Sequence, residues 1–318
     1  MLNRNFRHEA DLVRGEGDGR SRAVGESFDL AFPIPRESPV TQFQDRLRRA
    51  AASAWAKLER RAYAWGVRPG GALRLPDFLG IGGQKTGTTW LHANLSCHPD
   101  LFLTAQKELH YFDWYYHTRL RDYARHFADA GDLVAGEITP SYQLLPPRRI
   151  RMIKSLCPAL RMILLVRNPM DRAWSQARMG LAKNRGRRID EIPDDEFVAF
   201  FRSRASHRRG LYTESIDRWS SIFGADRLLV LFHDDIRNNP ESLLTRIFVH
   251  LGVSSDVDWS RFPTRDVIFQ GIEAPLPERF RPVLSELYGA EIEALGRRYP
   301  AAVAAWQARE HGTFAPAG

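Results

Sequence analysis

The segment FLGIGGQKTGTTW, residues 78–90, constrains the fold of this chain more than any other stretch. Its short apolar start is typical of a buried strand, and its four glycines permit a tight turn and close backbone approach to a ligand. From Thr88 onward the residues can start a helix, whose free N–H groups and positive dipole end would face the loop. The segment therefore predicts an anion-binding turn between a strand and a helix.

The position of the lysine separates this loop from the nucleoside-triphosphate loop, which reads G-x-x-x-x-G-K-[ST]. Gly82 and Gly87 have the required spacing, but Thr88 stands where the lysine is expected, and Lys85 lies inside the loop. A cation at that place would reach a different atom of the bound phosphate. A glycine-rich turn without a ligand is the alternative, because short motifs carry false positives.

A second segment, RMILLVRNPMDRAWSQ, residues 161–176, has the same strand-to-helix character. An apolar run of strand length ends at Arg167, Pro169 suits a first helical turn, and Ser175 follows. The helical part between Arg167 and Ser175 would rise about 9 Å, so both side chains could reach one phosphate. A solvated arginine at a strand end is the alternative.

Both segments resemble motifs of sulfotransferases that use 3′-phosphoadenosine 5′-phosphosulfate (PAPS). K-T-G-T-T-W resembles their 5′-phosphosulfate loop, and R-N-P-x-D-R-A-x-S resembles their 3′-phosphate motif. The resemblance covers roughly residues 78–252 and is closest to bacterial members related to the heparan-sulfate branch. It implies PAPS as sulfuryl donor, with Lys85 at the oxygen that bridges phosphate and sulfate.

The resemblance also implies which residues bind the cofactor. In RGLYTESIDRW, residues 209–219, it places Gly210 and Tyr212 beside the 3′-phosphate, although Tyr212 could equally pack against the sheet. Trp90 is expected to stack on adenine, as in the cytosolic branch, with core packing as the alternative. The predicted set is Gly83, Gln84, Lys85, Thr86, Gly87, Thr88, Thr89, Trp90, Arg167, Ser175, Gly210 and Tyr212.

Between the two motifs lies KELHYFD, residues 107–113, which resembles the K/A-E-x-H-[YF]-F segment of the heparan-sulfate branch. Sulfuryl transfer needs a group that removes the acceptor proton, and a carboxylate or a histidine can do this. Glu108 and His110 would share one side of an extended segment. We expect Glu108 to be the base and His110 to support it, with Lys85 as the third catalytic residue; a surface glutamate and a core histidine are the alternative.

The acceptor is less constrained by the sequence. In GEITPSY, residues 136–142, Ile138 replaces a family lysine thought to help bind the sulfonate or the acceptor, which predicts a more apolar side of the cleft. The basic run KNRGRR, residues 183–188, is a candidate site for an anionic acceptor or a solvated charge run. The predicted partner is a small-molecule or saccharide acceptor with a hydroxyl or amine, and a carbohydrate hydroxyl is preferred.

Apolar runs of strand length, separated by helical patterns, predict an α/β fold with a central parallel sheet and helices on both faces. The resemblance to sulfotransferases implies that this α/β fold is a P-loop-like three-layer fold. Ligands of such sheets bind at the carboxyl ends of the strands, where Lys85, Glu137 and Arg167 would gather. The runs are residues 78–81, 133–138, 162–166 and 228–232.

Three regions are predicted: a mobile or strapping extension over residues 1–40, an amphipathic helix packed on the domain within residues 41–70, and a sulfotransferase domain over residues 71–318. The helix has a capping box at Thr41 and Gln44. Its basic face could contact a membrane surface, but packing of its apolar face on the domain is preferred. That apolar face comprises Phe43, Leu47, Ala51, Trp55, Leu58, Ala62 and Trp65.

The composition fits one enzyme domain. A formal charge of +8 suits a bis-phosphorylated cofactor, and without nucleic-acid motifs we expect no nucleic-acid partner. The two cysteines, Cys97 and Cys157, form no metal framework, so we expect no metal and a reducing compartment. The lack of a membrane-spanning apolar run and of a signal-peptide core predicts a cytoplasmic protein. The oligomeric state is left open.

Two other classes stay open. A P-loop nucleotide or small-molecule kinase needs a lysine after Gly87 and a magnesium-binding aspartate at a strand end, and only LLVLFHD, residues 228–234, offers such an acid. A non-catalytic PAPS-fold binding protein would lack the base, and Glu108 with His110 argues against it.

Past Phe262 no segment resembles the one that closes over PAPS in relatives, and Arg265 could supply its charge.

Overall fold

Five strands form one parallel sheet. The structure is a computed structural model, and it describes residues 39–68, 71–266 and 274–310. The strand order is β2-β3-β1-β4-β5, with β1 at the centre. The strands are β1 Phe78–Gly82, β2 Leu101–Leu103, β3 Val134–Ile138, β4 Arg161–Val166 and β5 Leu228–Phe232. The predicted extension over residues 1–40 lies almost wholly outside the described residues.

Helices fill the connections between the strands. The helices are α1 Pro39–Ala64, α2 Thr88–Leu95, α3 Leu120–Ala124, α4 Pro147–Leu156, α5 Pro169–Ala177, α6 Asp194–Arg202, α7 Arg204–His207, α8 Tyr212–Phe223, α9 Asp234–Asn238, α10 Pro240–Leu251, α11 Arg281–Arg298 and α12 Pro300–Glu310. A π-helical turn covers Arg178–Ala182. Short 3₁₀ turns cover Arg125–Ala130, Pro140–Leu144, Lys183–Arg185, Ile189–Glu191, Arg208–Gly210, Ala225–Arg227, Trp259–Arg261 and Glu278–Phe280.

The sheet is buried on both faces, as the apolar runs predict. Successive strand residues point to opposite faces, so Leu164 joins one hydrophobic cluster and Leu165 joins the other. The first cluster includes side chains of α4, α5, α8 and α11, and the second includes side chains of α2 and α10. The predicted three-layer α/β fold is therefore confirmed. The edge strand β2 was not predicted, because three residues give too short a pattern to recognise.

Glycines let β1 and β3 carry large side chains at paired positions. Phe78 pairs with Gly136, and Gly80 pairs with Ile138, so each bulky residue lies opposite a glycine. A Cβ atom at Gly136 would lie 2.4 Å from the Phe78 ring, and one at Gly80 would lie 2.7 Å from the Ile138 side chain. The two glycines therefore keep the central strand pair in register beneath the site.

Helix α1 forms where the sequence predicts a helix, but its packing differs from the prediction. It begins at Pro39, so Thr41 is not its N-cap. The predicted apolar face is not the packed one, because Trp55 is 69% exposed and Trp65 is 80% exposed. The buried side is instead formed by four other residues. They are Ala56, Glu59, Arg60 and Tyr63.

Polar contacts attach the buried side of α1 to the segment that follows residue 110. The Leu120 N–H donates to Glu59 Oε2 at 2.7 Å, and Arg60 Nη1 donates to the Tyr111 hydroxyl at 3.1 Å. Arg60 also donates to the Thr118 carbonyl at 3.0 Å. A hydrogen-bonding face outcompetes the apolar one here because a buried carboxylate and a buried guanidinium both find partners.

We predict that Gly136→Ala destabilises the fold. The added methyl group meets the Phe78 ring in a closely packed layer, so the free energy of unfolding should fall by about 1–3 kcal/mol. Gly289→Ala is the matched control, because its Cβ would meet only Ser285 Oγ at 3.9 Å and a helical alanine is favoured over glycine. Urea unfolding monitored by tryptophan fluorescence measures both. Equal stability of the two variants would contradict the packing argument.

Candidate functional site

The predicted phosphate loop connects β1 to α2 and is held by hydrogen bonds to β4 and within the loop. The Gly83 N–H donates to the Leu165 carbonyl at 2.7 Å, which ties the loop to the neighbouring strand β4. Thr86 Oγ1 donates to the Gly83 carbonyl at 2.6 Å. Gly87 is the N-terminal cap of α2 with φ of 95°, a left-handed conformation that favours glycine. The strand, turn and helix are thus arranged as the sequence predicts.

Side chains fill the space beneath the loop. A Cβ atom at Gly83 would lie 3.0 Å from Tyr212, and one at Gly87 would lie 2.3 Å from Ile236. Tyr212 is fully buried at the start of α8, so it packs against the loop from below. Gly210 faces Tyr288, whose ring a Cβ atom there would meet at 2.4 Å. The predicted contacts of Gly210 and Tyr212 with a 3′-phosphate stay predictions.

The second motif meets the first at a hydrogen bond between two strand ends. Arg167 follows β4, and its Nη1 donates to the Lys85 carbonyl at 3.2 Å. Asn168 Oδ1 accepts from the Met170 N–H and caps α5, with Pro169 as the first helical residue. Ser175 lies half-buried on the same helix. The structure therefore brings Lys85 and Arg167 together at the carboxyl edge of the sheet.

Lys85 stands among other cations. Burial, followed by the charges of Arg167, Lys183, Arg178 and Lys107, lowers the pKa of Lys85 to about 8. The π-helical turn after α5 brings Met179 Sδ within 3.6 Å of Lys85 Nζ. Such a concentration of positive charge attracts an anion, since a bound phosphate or sulfate offsets the repulsion between the cations.

The three predicted catalytic residues share an unusual backbone conformation. Lys85 has φ of 67°, Glu108 has φ of 61° and His110 has φ of 54°, and no other non-glycine residue in the described ranges has positive φ. This region is costly for residues with a Cβ atom, and such strain concentrates at functional sites. The segment is therefore not extended at Glu108 and His110, so the condition under which they would share one side does not hold. Their side chains still meet, with His110 Nε2 at 3.6 Å from Glu108 Oε2.

His110 is held by residues to which the sequence analysis gave no role. Its Nδ1–H donates to Asp113 Oδ2 at 3.0 Å, and Ser141 Oγ donates to the same oxygen at 2.5 Å. The Trp114 ring stacks on the imidazole at 3.7 Å between centroids. The spacing of Asp113 three positions after His110 was the available signal, since a turn brings such a pair together.

Opposite charges alternate along this cluster. Burial raises the pKa of Glu108, but the hydrogen bonds and charges of His110 and Lys107 outweigh it and lower that pKa to about 2. Burial lowers the pKa of His110, but Asp113 and Glu108 outweigh it and raise that pKa to about 9. At neutral pH the cluster therefore holds an ionised Glu108 beside a protonated His110.

Two residues of the segment 136–142 do not face the cleft. Glu137 lies at the end of β3 as predicted, but it is fully buried and accepts hydrogen bonds from Tyr123, Tyr142 and Thr139. Ile138 is also fully buried and packs in the second hydrophobic cluster. The prediction that Ile138 makes one side of the cleft apolar is wrong, because its side chain fills the space left by Gly80.

The remaining predicted groups lie at the edges of the site. Trp90 is only 7% exposed and its indole N–H donates to the Thr264 carbonyl at 3.0 Å, so stacking on adenine stays a prediction. In the basic run over residues 183–188, Arg187 pairs with Glu196 at 2.7 Å and Arg188 pairs with Asp190 at 2.8 Å. These two arginines therefore form surface ion pairs.

The sheet, the loop and the arginine at the end of β4 define an α/β protein with a cluster of cations at the carboxyl edge of its sheet. The sequence profile described as "Sulfotransferase domain" matches residues 75–267, more than half of the chain. The chain belongs to the sulfotransferase family, which confirms the resemblance found in the two motifs.

Relatives support the same family. The membrane-associated sulfotransferase kil1 of Dictyostelium discoideum is 39% identical over 111 residues, which are 34% of this chain and 23% of that protein. Heparan sulfate glucosamine 3-O-sulfotransferase 6 of Homo sapiens is 29% identical over 202 residues, 60% of this chain and 56% of that protein. This chain therefore spans less than two thirds of the length of these relatives.

A solved structure shows the same fold. The sulfotransferase from Alicyclobacillus acidocaldarius matches with a TM-score of 0.61 and 21% sequence identity, over 73% of this chain and 99% of that one.

We predict that Asp113→Asn lowers the pKa of His110. The substitution removes the carboxylate charge facing His110 Nδ1, so the pKa should fall from about 9 towards the ordinary value of 6.5. An NMR titration of the imidazole, assigned with His110→Gln, measures the change. Asp129→Asn is the control, because Asp129 is an exposed carboxylate in the turn Arg125–Ala130. An unchanged titration in Asp113→Asn would show that Asp113 does not set the charge of His110.

Proposed function

We propose that this protein is a PAPS-dependent sulfotransferase that transfers a sulfuryl group in line to a hydroxyl or amine acceptor, with a saccharide as the preferred acceptor class. The observation that carries the proposal is the left-handed backbone at Lys85, Glu108 and His110. Residues of two separate segments are held in a costly conformation at one edge of the sheet, and a purely structural role does not require that.

The cations around Lys85 fit a doubly phosphorylated donor. Lys85 and the N–H groups of residues 84–89 would hold the phosphosulfate end, and Arg167 with Ser175 would hold the 3′-phosphate. When bound, PAPS supplies the sulfuryl group. The lowered pKa of Lys85 reflects burial and nearby positive charge, and an anionic ligand would raise that pKa. Lys85 would then be fully protonated where negative charge develops on the bridging oxygen.

Glu108 is the better candidate for the base than His110. A base must be unprotonated, and at neutral pH Glu108 is ionised whereas His110, with a pKa of about 9, carries a proton. The low pKa of Glu108 makes it a weak base. A weak base suffices once the new S–O bond begins to form, because the acceptor oxygen becomes positively charged and acidic. Protonated His110, fixed by Asp113, orients the Glu108 carboxylate.

The acceptor side of the cluster presents aromatic surface. Trp114 is 49% exposed although one face of its ring is covered by His110, so its outer face is open. Tyr115 next to it is 38% exposed. The C–H groups of a sugar ring carry partial positive charge and pack well on the negative face of an indole. This arrangement favours a saccharide hydroxyl, and the name of the matched human 3-O-sulfotransferase agrees with it.

The kinase alternative is less favoured. The acid it needs near the end of β5, Asp234, accepts a hydrogen bond from Trp306 Nε1 at 3.0 Å.

A reducing, cytoplasmic location is part of the proposal, because Cys97 and Cys157 are free thiols.

We predict that Arg167→Ala weakens binding of 3′-phosphoadenosine 5′-phosphate. Arginine–phosphate bonds contribute about 1.5–3 kcal/mol each, so the affinity should fall by about ten- to a hundredfold. Isothermal titration calorimetry in EDTA measures it, with ATP and magnesium as the comparison ligand. Arg297→Ala is the control, because Arg297 is 72% exposed on α11. A strict magnesium requirement, or preference for ATP, would favour the kinase class.

We predict that Glu108→Gln separates binding from chemistry. The amide keeps the shape but cannot accept the proton, so transfer should fall by about 10²-fold or more while nucleotide affinity stays unchanged. Transfer of labelled sulfonate from PAPS to saccharides, phenols and lipid alcohols measures activity and acceptor class together. Glu241→Gln, an exposed change on α10, is the control. Undiminished transfer in Glu108→Gln would assign the base to His110, and transfer only to phenols would exclude the saccharide proposal.

A further inference from the structure

Helix α1 carries large apolar side chains that remain exposed among the described residues. Trp55 is 69% exposed, Leu58 is 57% exposed and Trp65 is 80% exposed. Trp65 follows the helix, and its N–H still donates to the Arg61 carbonyl at 3.0 Å. At 100° per residue these three side chains lie within about 80° of arc. Together they form one surface, the tryptophan face (Trp55, Leu58 and Trp65).

The tryptophan face cannot turn inward without breaking the hydrogen bonds of the buried side of α1. Glu59, Arg60 and Tyr63 are buried, and each makes a hydrogen bond at 3.1 Å or less to a residue outside α1. An exposed cluster of large apolar residues on a rigid helix is unfavourable in water and marks an interaction surface.

The charges beside the tryptophan face indicate which partner it fits. Lys57 and Arg61 are exposed on the adjoining strip of the helix. Between residues 50 and 65 the one acidic residue is Glu59, and its side chain is buried against Leu120. The exposed side is thus apolar and cationic, without an exposed carboxylate in this stretch.

We propose that the tryptophan face binds the surface of an anionic lipid bilayer. Tryptophan favours the boundary between headgroups and acyl chains, and neighbouring lysine and arginine are attracted to anionic headgroups. The part of the chain that the structure describes has no helix that could span a bilayer. The proposal does not depend on the reaction that the domain catalyses.

Vesicle flotation of the full chain tests the proposal. The probes are vesicles of phosphatidylcholine alone and vesicles in which part of the phosphatidylcholine is replaced by phosphatidylglycerol, whose anionic headgroups attract lysine and arginine. The wild type should float with the anionic vesicles. The affinity of the triple variant Trp55→Ser, Leu58→Ser, Trp65→Ser for these vesicles should be lower by about tenfold or more. Val249→Ser is the matched control, because Val249 is 67% exposed on α10. It should bind like the wild type.

Three other results would overturn the proposal. The first is wild-type protein that floats with neither kind of vesicle. The second is a triple variant that binds anionic vesicles as the wild type does. The third is wild-type protein that binds neutral and anionic vesicles equally. Light scattering after size-exclusion chromatography adds a fourth test. A wild-type dimer that the triple variant abolishes, without vesicle binding, would assign the face to a second copy of the chain. Circular dichroism verifies that the triple variant is folded, and binding of 3′-phosphoadenosine 5′-phosphate verifies its cofactor site independently.

Discussion

The hydrogen bond from Arg167 to the Lys85 carbonyl holds the site together. It joins the ends of two adjacent parallel strands, and so it couples the loop that would hold one end of the donor to the residue that would hold the other. Because Arg167 uses one nitrogen for the loop backbone, its guanidinium is oriented before any ligand arrives. Preorganised donors of this kind bind anions without a further ordering cost.

The cluster beyond the loop is balanced in charge. Lys107, Glu108, His110 and Asp113 alternate in sign at neutral pH, and each has at least one opposite neighbour. In a partly buried site a charge that loses its partner is costly, so the members stabilise one another. The same coupling explains why the pKa of Glu108 is low although burial alone would raise it.

Patterns local in sequence predicted much of this molecule, and contacts between distant segments account for the rest. The four strand-length runs, the turn at Gly87 and the start of α5 at Pro169 followed from local residue preferences. The burial of Ile138 did not, because it depends on Gly80 of another strand. The orientation of α1 was wrong for the same reason: Glu59 and Arg60 bury through partners some 50 to 60 positions away, at Tyr111 and Leu120.

Those partners of α1 bear on where the working domain begins. The guanidinium of Arg60 lies 3.8 Å from the Tyr116 ring centroid, and that of Arg149 on α4 lies 3.2 Å from it, so one aromatic ring joins three elements. The ring follows directly after the segment that carries His110 and Trp114. The family match begins only at residue 75, yet a chain shortened to that point would lose Arg60 and leave Tyr116 with Arg149 as its remaining cation contact. The family match and the contacts that support the domain thus begin at different residues of this protein.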